Sequence, residues 1–243
     1  MKTRLFYIDN LKGFLILLVI LGHCIQSTDM DFDHNIIFRY IYSFHMPLFM
    51  CVSGFVSYKP QMTWGMVKRR LMQLMVPFFA WVLIGCCIYL DFSYLLDKIL
   101  HPDTGLWFLW VLFFIVCALK PCEVIADKTK LRMELVVTIV CIILMGLMVA
   151  LKIKLFGFQF IAWYFLFYCL GYFCKKYFHQ LEQPLRSVQW PMLILFMVMA
   201  FFWMRKESPA FISTSSNIIY GYTYKFATAI VVLTALYLEI ILM

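Results

Sequence analysis

Along this chain apolar residues gather into runs of membrane-spanning length, separated by short clusters of charge. A helix crossing the hydrocarbon core needs roughly 20 mostly apolar residues. The stretches that meet this demand are 8–27, 36–57, 71–90, 105–121, 134–151, 158–174, 189–204 and 223–243. The run 158–174 is short, and 189–204 starts beside Pro191. Pro47 need not split the second run, because neighbouring groups re-satisfy the backbone that a membrane proline frees. The pattern predicts an all-α protein, a polytopic transmembrane helix bundle of about eight spans. It predicts one integral-membrane domain over residues 1–243, without a soluble domain, a fixed-period repeat or a low-complexity linker.

Composition agrees. The chain is 64% hydrophobic and 14% charged, whereas soluble domains are about half apolar and about a quarter charged. A formal charge of +8 would suit a nucleic-acid binder. The basic residues, however, lie in short clusters between apolar runs, so membrane topology accounts for them and no nucleic-acid partner is expected. With the N-terminus inside, one set of loops holds Lys2, Arg4, Lys59, Lys68, Arg69, Arg70, Lys128, Lys130, Arg132, Lys175, Lys176 and Arg186. The opposite set holds Asp29, Asp31, Asp33, the segment 91–103, Lys152, Lys154, Arg205 and Lys206. The first set is richer in positive charge, which predicts an integral membrane protein with both termini cytoplasmic. The apolar run after MKTRLFYIDN lacks a small-residue cleavage site and reads as a retained first span. The nine cysteines show no metal-binding spacing and are expected to be small apolar fillers, and no metal site is predicted.

Ionisable residues inside spans are expensive there and point to function. They concentrate in the first two runs. Lys12 and His23 are eleven positions apart, about 20° beyond three full turns, which puts them on one helical face roughly 16 Å apart. Asp9 precedes Lys12 by three positions and is placed to neutralise it. On the returning second span, Arg39 falls near the outer surface and His45 some 9 Å deeper. Ser43 and Ser53 add polarity, and Gly54 permits close helix approach. Two imidazoles from neighbouring spans could thus face one cavity, and histidine is the side chain best suited to take a proton near neutral pH. Plainer readings stand beside this one. Lys12 would snorkel to headgroups, His23 would mark a helix end, and His45 would serve as a packing hydrogen-bond partner. Arg39 reads as an interface anchor, and His34, His101 and His179 as solvated loop residues. The cluster Lys68, Arg69 and Arg70 reads either as an anchor on anionic lipid or as a cytoplasmic phosphate dock.

The segments YIDNLKGFLILLVILGH (7–23), IYSFHMPLFMCVSGF (41–55), VKRRLMQLMVPF (67–78), LWFLWVLFF (106–114) and, more loosely, FYCLGYFCKK (167–176) carry a resemblance. Together they resemble the membrane-bound acyltransferase 3 family, especially its sugar O-acetyltransferases similar to fucose 4-O-acetylase. The resemblance implies transfer of an acyl group, usually acetyl from acetyl-CoA, to a hydroxyl of a surface or secreted glycan or lipid-linked sugar. It implies a bacterial inner (cytoplasmic) membrane setting and no permanently bound cofactor. The family's functional His maps onto His23, its basic partner onto Lys12 and its second-span His onto His45. His23 would be the general base or carry an acetyl-histidine relay. Lys12 with Asp9 would serve the donor side or balance charge, and Lys68, Arg69 and Arg70 would meet the CoA phosphates. Many members have Arg where this chain has Lys12, which offers a point charge in place of a planar fork. Members usually have more spans, so the domain reads as short at its C-terminal end. Two other classes remain open at this point: a transporter or flippase with a polar translocation seam, and a non-catalytic membrane partner.

Overall fold

The computed structural model describes residues 6–59, 63–102, 106–153, 155–205 and 218–236. Lys2, Arg4, Asp103, Lys154 and Lys206 of the charge count, and residues 237–243 of the last predicted span, lie outside the described residues. The helices are α1 (Phe6–Thr28), α2 (Ile36–Ser57), α3 (Trp64–Tyr89), α4 (Ser93–Leu100), α5 (Trp107–Thr129), α6 (Met133–Leu151), α7 (Phe158–Lys176), α8 (Phe178–Phe202) and α9 (Ile218–Leu236). A 3₁₀ turn, Leu155–Gly157, precedes α7. Among the described residues, 7 helices are long and apolar enough to cross a membrane: α1, α2, α3, α5, α6, α7 (with its 3₁₀ turn) and α8 from Gln183 onward. The predicted all-α, polytopic character holds, and α9 covers the described part of the eighth predicted run.

Four boundaries differ from the sequence reading by more than a turn. Helix α3 starts at Trp64, α5 runs on to Thr129, α8 starts at Phe178 and α9 starts at Ile218. Hydropathy marks the residues that lipid must accept, but a helix goes on hydrogen-bonding after its charged turns leave the hydrocarbon. Pro121, Pro184 and Pro191 do not stop these helices, and all three lie on exposed positions. Helix α4 has 8 residues, too short for a span, and was not anticipated.

The chain divides into two compact units, residues 1–56 with 174–243, and residues 57–173. In the first, α2, α8 and α9 share a core in which Phe196, Ala200 and Val232 pack with Tyr40, Phe44, Leu193 and Val231. The end of α8 is bound by side chains from its neighbours. The last carbonyls of a helix have no partner within it. Here Tyr224 donates to the Met199 carbonyl at 2.6 Å, Tyr40 to that of Met197 at 2.8 Å, and Arg39 Nε to that of Trp203 at 2.8 Å. Arg39 Nη2 also donates to the Phe201 carbonyl. A cation at this position also meets the negative end of the helix dipole. Beside it Arg205 pairs with Asp33, Nε to Oδ1 at 2.8 Å, and Lys225 donates to the Arg205 carbonyl at 2.7 Å. Arg39 is therefore a clamp between α2 and α8, a more specific role than an interface anchor. Replacing it by Ala should destabilise the folded protein by about 2 kcal/mol, since hydrogen bonds from a charged donor are individually worth that order. Thermal unfolding in detergent would show this, and an unchanged midpoint would refute the clamp.

In the second unit α5 packs on α3 and α6. Tyr94 of α4 lies close against α3: a Cβ on Gly85 would stand 2.6 Å from Tyr94 Cε1, so any larger residue there would displace the ring. The LWFLW segment supplies an aromatic core. Trp107 stacks on Tyr164 at 5.4 Å, Trp110 meets Phe78 at 5.1 Å, and Trp110 Nε1 donates to the Phe156 carbonyl at 3.0 Å.

Candidate functional site

In the first unit α1 turns one narrow edge inward. Ile8, Leu15 and Gly22, seven residues apart, are its buried positions. At 100° per residue, Lys12 and His23 lie about 40–60° to one side of Ile8 and Asp9 about 100° to that side. Lys12 is accordingly half-buried, while His23 and Asp9 are exposed. The polar stripe flanks the buried edge and does not itself form it. His23 opens onto a depression of about 610 Å³, bordered along α1 by Ile20, Cys24, Gln26 and Ser27.

Gly22 sets the approach of α2. A Cβ at this position would stand 2.7 Å from Tyr42 Cε2. Its absence lets the Tyr42 ring lie against α1, where the hydroxyl is 3.5 Å from Gln26 Oε1. Tyr42 is stacked on Phe38 at 3.9 Å and meets the His45 ring edge-on at 4.8 Å. His45 itself is 3% exposed. Its Nδ1 lies 2.8 Å from the Ile41 carbonyl oxygen. A carbonyl only accepts, so Nδ1 carries the proton and, in the neutral ring, Nε2 keeps its lone pair. His23 and His45 lie within electrostatic reach of one another.

Other sequence expectations fall differently. Ser43 donates to the Tyr40 carbonyl at 2.7 Å and Ser53 to that of Phe49 at 2.8 Å, so both hydroxyls serve their own helix and add nothing to a cavity. His34 is exposed beside Asp31, His101 is exposed beside Asp97, and His179 is exposed. Among the described residues no cluster of His, Cys, Asp and Glu could hold a metal ion. Tyr42 was missed, although its place three residues before His45, one helical turn away, could have marked it.

The basic triplet belongs to the second unit. Lys68 and Arg69 are exposed, whereas Arg70 is half-buried and donates from Nη2 to Ser57 Oγ at 3.0 Å. Nearby on α5, Lys120 and Glu123 form a 2.6 Å pair with side chains only 14% and 13% exposed. Sequence reading passed over this pair, yet opposite charges three apart in an apolar run are its signal.

Residues 5–242 match the family model described as an acyltransferase domain. The nodulation protein NolL of Mesorhizobium japonicum is 36% identical over 122 residues, which is 43% of this chain and 32% of that protein. NolL of Sinorhizobium fredii is 33% identical over 118 residues, 42% of this chain and 32% of that protein. The aligned stretch thus spans 32% of the length of each relative. No solved structure matches significantly. The family match covers the histidine-bearing helices of one unit and the basic helix of the other alike, and the chain belongs to this acyltransferase family.

Proposed function

We propose that this protein is a membrane O-acyltransferase that moves acetyl from acetyl-CoA to a hydroxyl of a carbohydrate. The observation that carries the reading is the pairing of an exposed His23, open to a depression, with a buried His45 of fixed tautomer on the adjoining helix. A sugar hydroxyl is a poor nucleophile until a base takes its proton. His23 receives that proton as the hydroxyl oxygen attacks the thioester carbonyl. The tetrahedral adduct then collapses, the carbon–sulfur bond breaks, and the proton passes from His23 to the leaving thiolate. The products are an O-acetyl sugar and CoA. Lys12 and Asp9 set the local charge on the flank of α1, and Arg70, the inward member of its triplet, meets a donor phosphate. The excess of Lys and Arg in one set of loops supports cytoplasmic termini and a cytoplasmic donor.

Membranes containing the protein, given acetyl-CoA labelled in the acetyl group and a candidate oligosaccharide, should yield alkali-labile label in the glycan. Label confined to unreacted donor, across a panel of neutral and anionic glycans, would overturn the reading.

A further inference from the structure

Among the described residues, the Tyr168 hydroxyl is the buried side-chain polar atom left without a hydrogen-bond partner. The residue is 0% exposed and lies in the middle of α7. Buried hydroxyls in folded proteins are nearly always paired, so an orphan in the interior calls for an explanation. Its polar neighbours are Ser57 and Arg70. Ser57 stands close enough to Tyr168 for a weak interaction but not for a well-formed hydrogen bond, and its oxygen already accepts from Arg70 Nη2 at 3.0 Å. Arg70 forms no ion pair with a carboxylate among the described residues. The carboxylate next along, Glu123, faces Tyr172 and is paired with Lys120 at 2.6 Å. Tyr172 in turn donates to the Lys59 carbonyl at 3.1 Å, so its hydroxyl is satisfied.

Among the described residues, what is left is a guanidinium with N–H groups to spare and a phenol O–H without a well-formed hydrogen bond, and no carboxylate shared between them. A guanidinium fork and a hydroxyl, both donors, suit the tetrahedral oxygens of a phosphate. Resting on the acyl-CoA reading above, we propose that Tyr168 is a donor-binding residue, its hydroxyl joining Arg70 and Ser57 in a site for a phosphate of the acyl donor. The cost of leaving the hydroxyl unpaired in the folded protein is then accepted for binding.

The Tyr168→Phe variant tests this, because it removes one oxygen and keeps the ring. A purely structural hydroxyl without a partner predicts a variant as stable as the parent or more so, with unchanged kinetics. The donor-site role predicts the same or higher unfolding midpoint without ligand, but a smaller upward shift on adding CoA. It also predicts a KM for acetyl-CoA raised about tenfold, the loss of one charge-assisted hydrogen bond. The kcat should hold, and the KM for S-acetylpantetheine, which lacks the nucleotide, should not change. An unchanged response to CoA would overturn the proposal. So would a variant that keeps its response to CoA but loses stabilisation by phosphatidylglycerol, which would assign the site to a lipid headgroup. The two readings fail separately. A parent protein that binds CoA but transfers nothing retires acyl transfer alone, whereas one that transfers acetyl while Tyr168→Phe leaves CoA binding intact retires this site alone.

Discussion

His23→Ala should lower acetyl transfer roughly 10²–10⁴-fold, the range lost when a positioned general base is removed. Folding should be little affected, because the side chain is exposed and the buried edge of α1 is made by Ile8, Leu15 and Gly22. The comparison that gives the experiment force is Gln26→Ala, on the same depression and half-buried. It disturbs the same surface without removing a base, and should cost far less activity. The donor KM should stay near its parental value in His23→Ala, since the base acts on the acceptor hydroxyl. Withholding the acceptor separates a base from a nucleophile. If His23 itself accepts acetyl, labelled donor should leave acid-labile, hydroxylamine-labile label on the parent protein and none on the variant. If His23 acts only as a base, neither protein retains label, yet the variant is still inactive. A His23→Ala protein that transfers at the parental rate would remove His23 from the chemistry altogether.

The parts of the molecule that were legible in the sequence are those with a local physical cause. Runs of apolar residues marked the order of the spans, because every lipid-facing backbone group must be bonded within a helix; about eight were expected, and seven helices among the described residues are long and apolar enough to cross. The two histidines stood out because lipid makes them costly. Tyr168 escaped notice for the opposite reason: in FYCLGYF it looks like any interfacial aromatic, and its significance lies in a hydroxyl whose polar neighbours, Ser57 and Arg70, are about a hundred residues earlier in the chain. Arg39 was placed at the correct end of its span, but its partners, the carbonyls of Phe201 and Trp203, are more than a hundred residues away and carry no side-chain signature. The basic triplet showed a charge cluster in sequence without revealing that one member turns inward while two remain outside. That sorting depends on Arg70 finding the Ser57 hydroxyl thirteen residues earlier in the chain, which composition does not encode.

His45→Asn should lower kcat roughly a hundredfold while leaving the donor KM and the unfolding midpoint near their parental values. That magnitude is the lower end of what an acid–base partner contributes. The reasoning starts from the tautomer. His45 Nδ1–H is committed to the Ile41 carbonyl, so its other nitrogen is the one available for chemistry. His45 lies within electrostatic reach of His23, and in the proposed mechanism its lone pair serves to orient the exposed imidazole, much as a base is oriented by a third group in catalytic triads. The Asn side chain retains an N–H near the Nδ1 position, able to bond the same carbonyl, and has nothing at the Nε2 position. Gln reaches further and places its amide there, so His45→Gln should recover a large part of the activity. The plainer role, a packing hydrogen bond within α2, makes the opposite ranking: Asn preserves function and Gln, which overreaches the Ile41 carbonyl, does not.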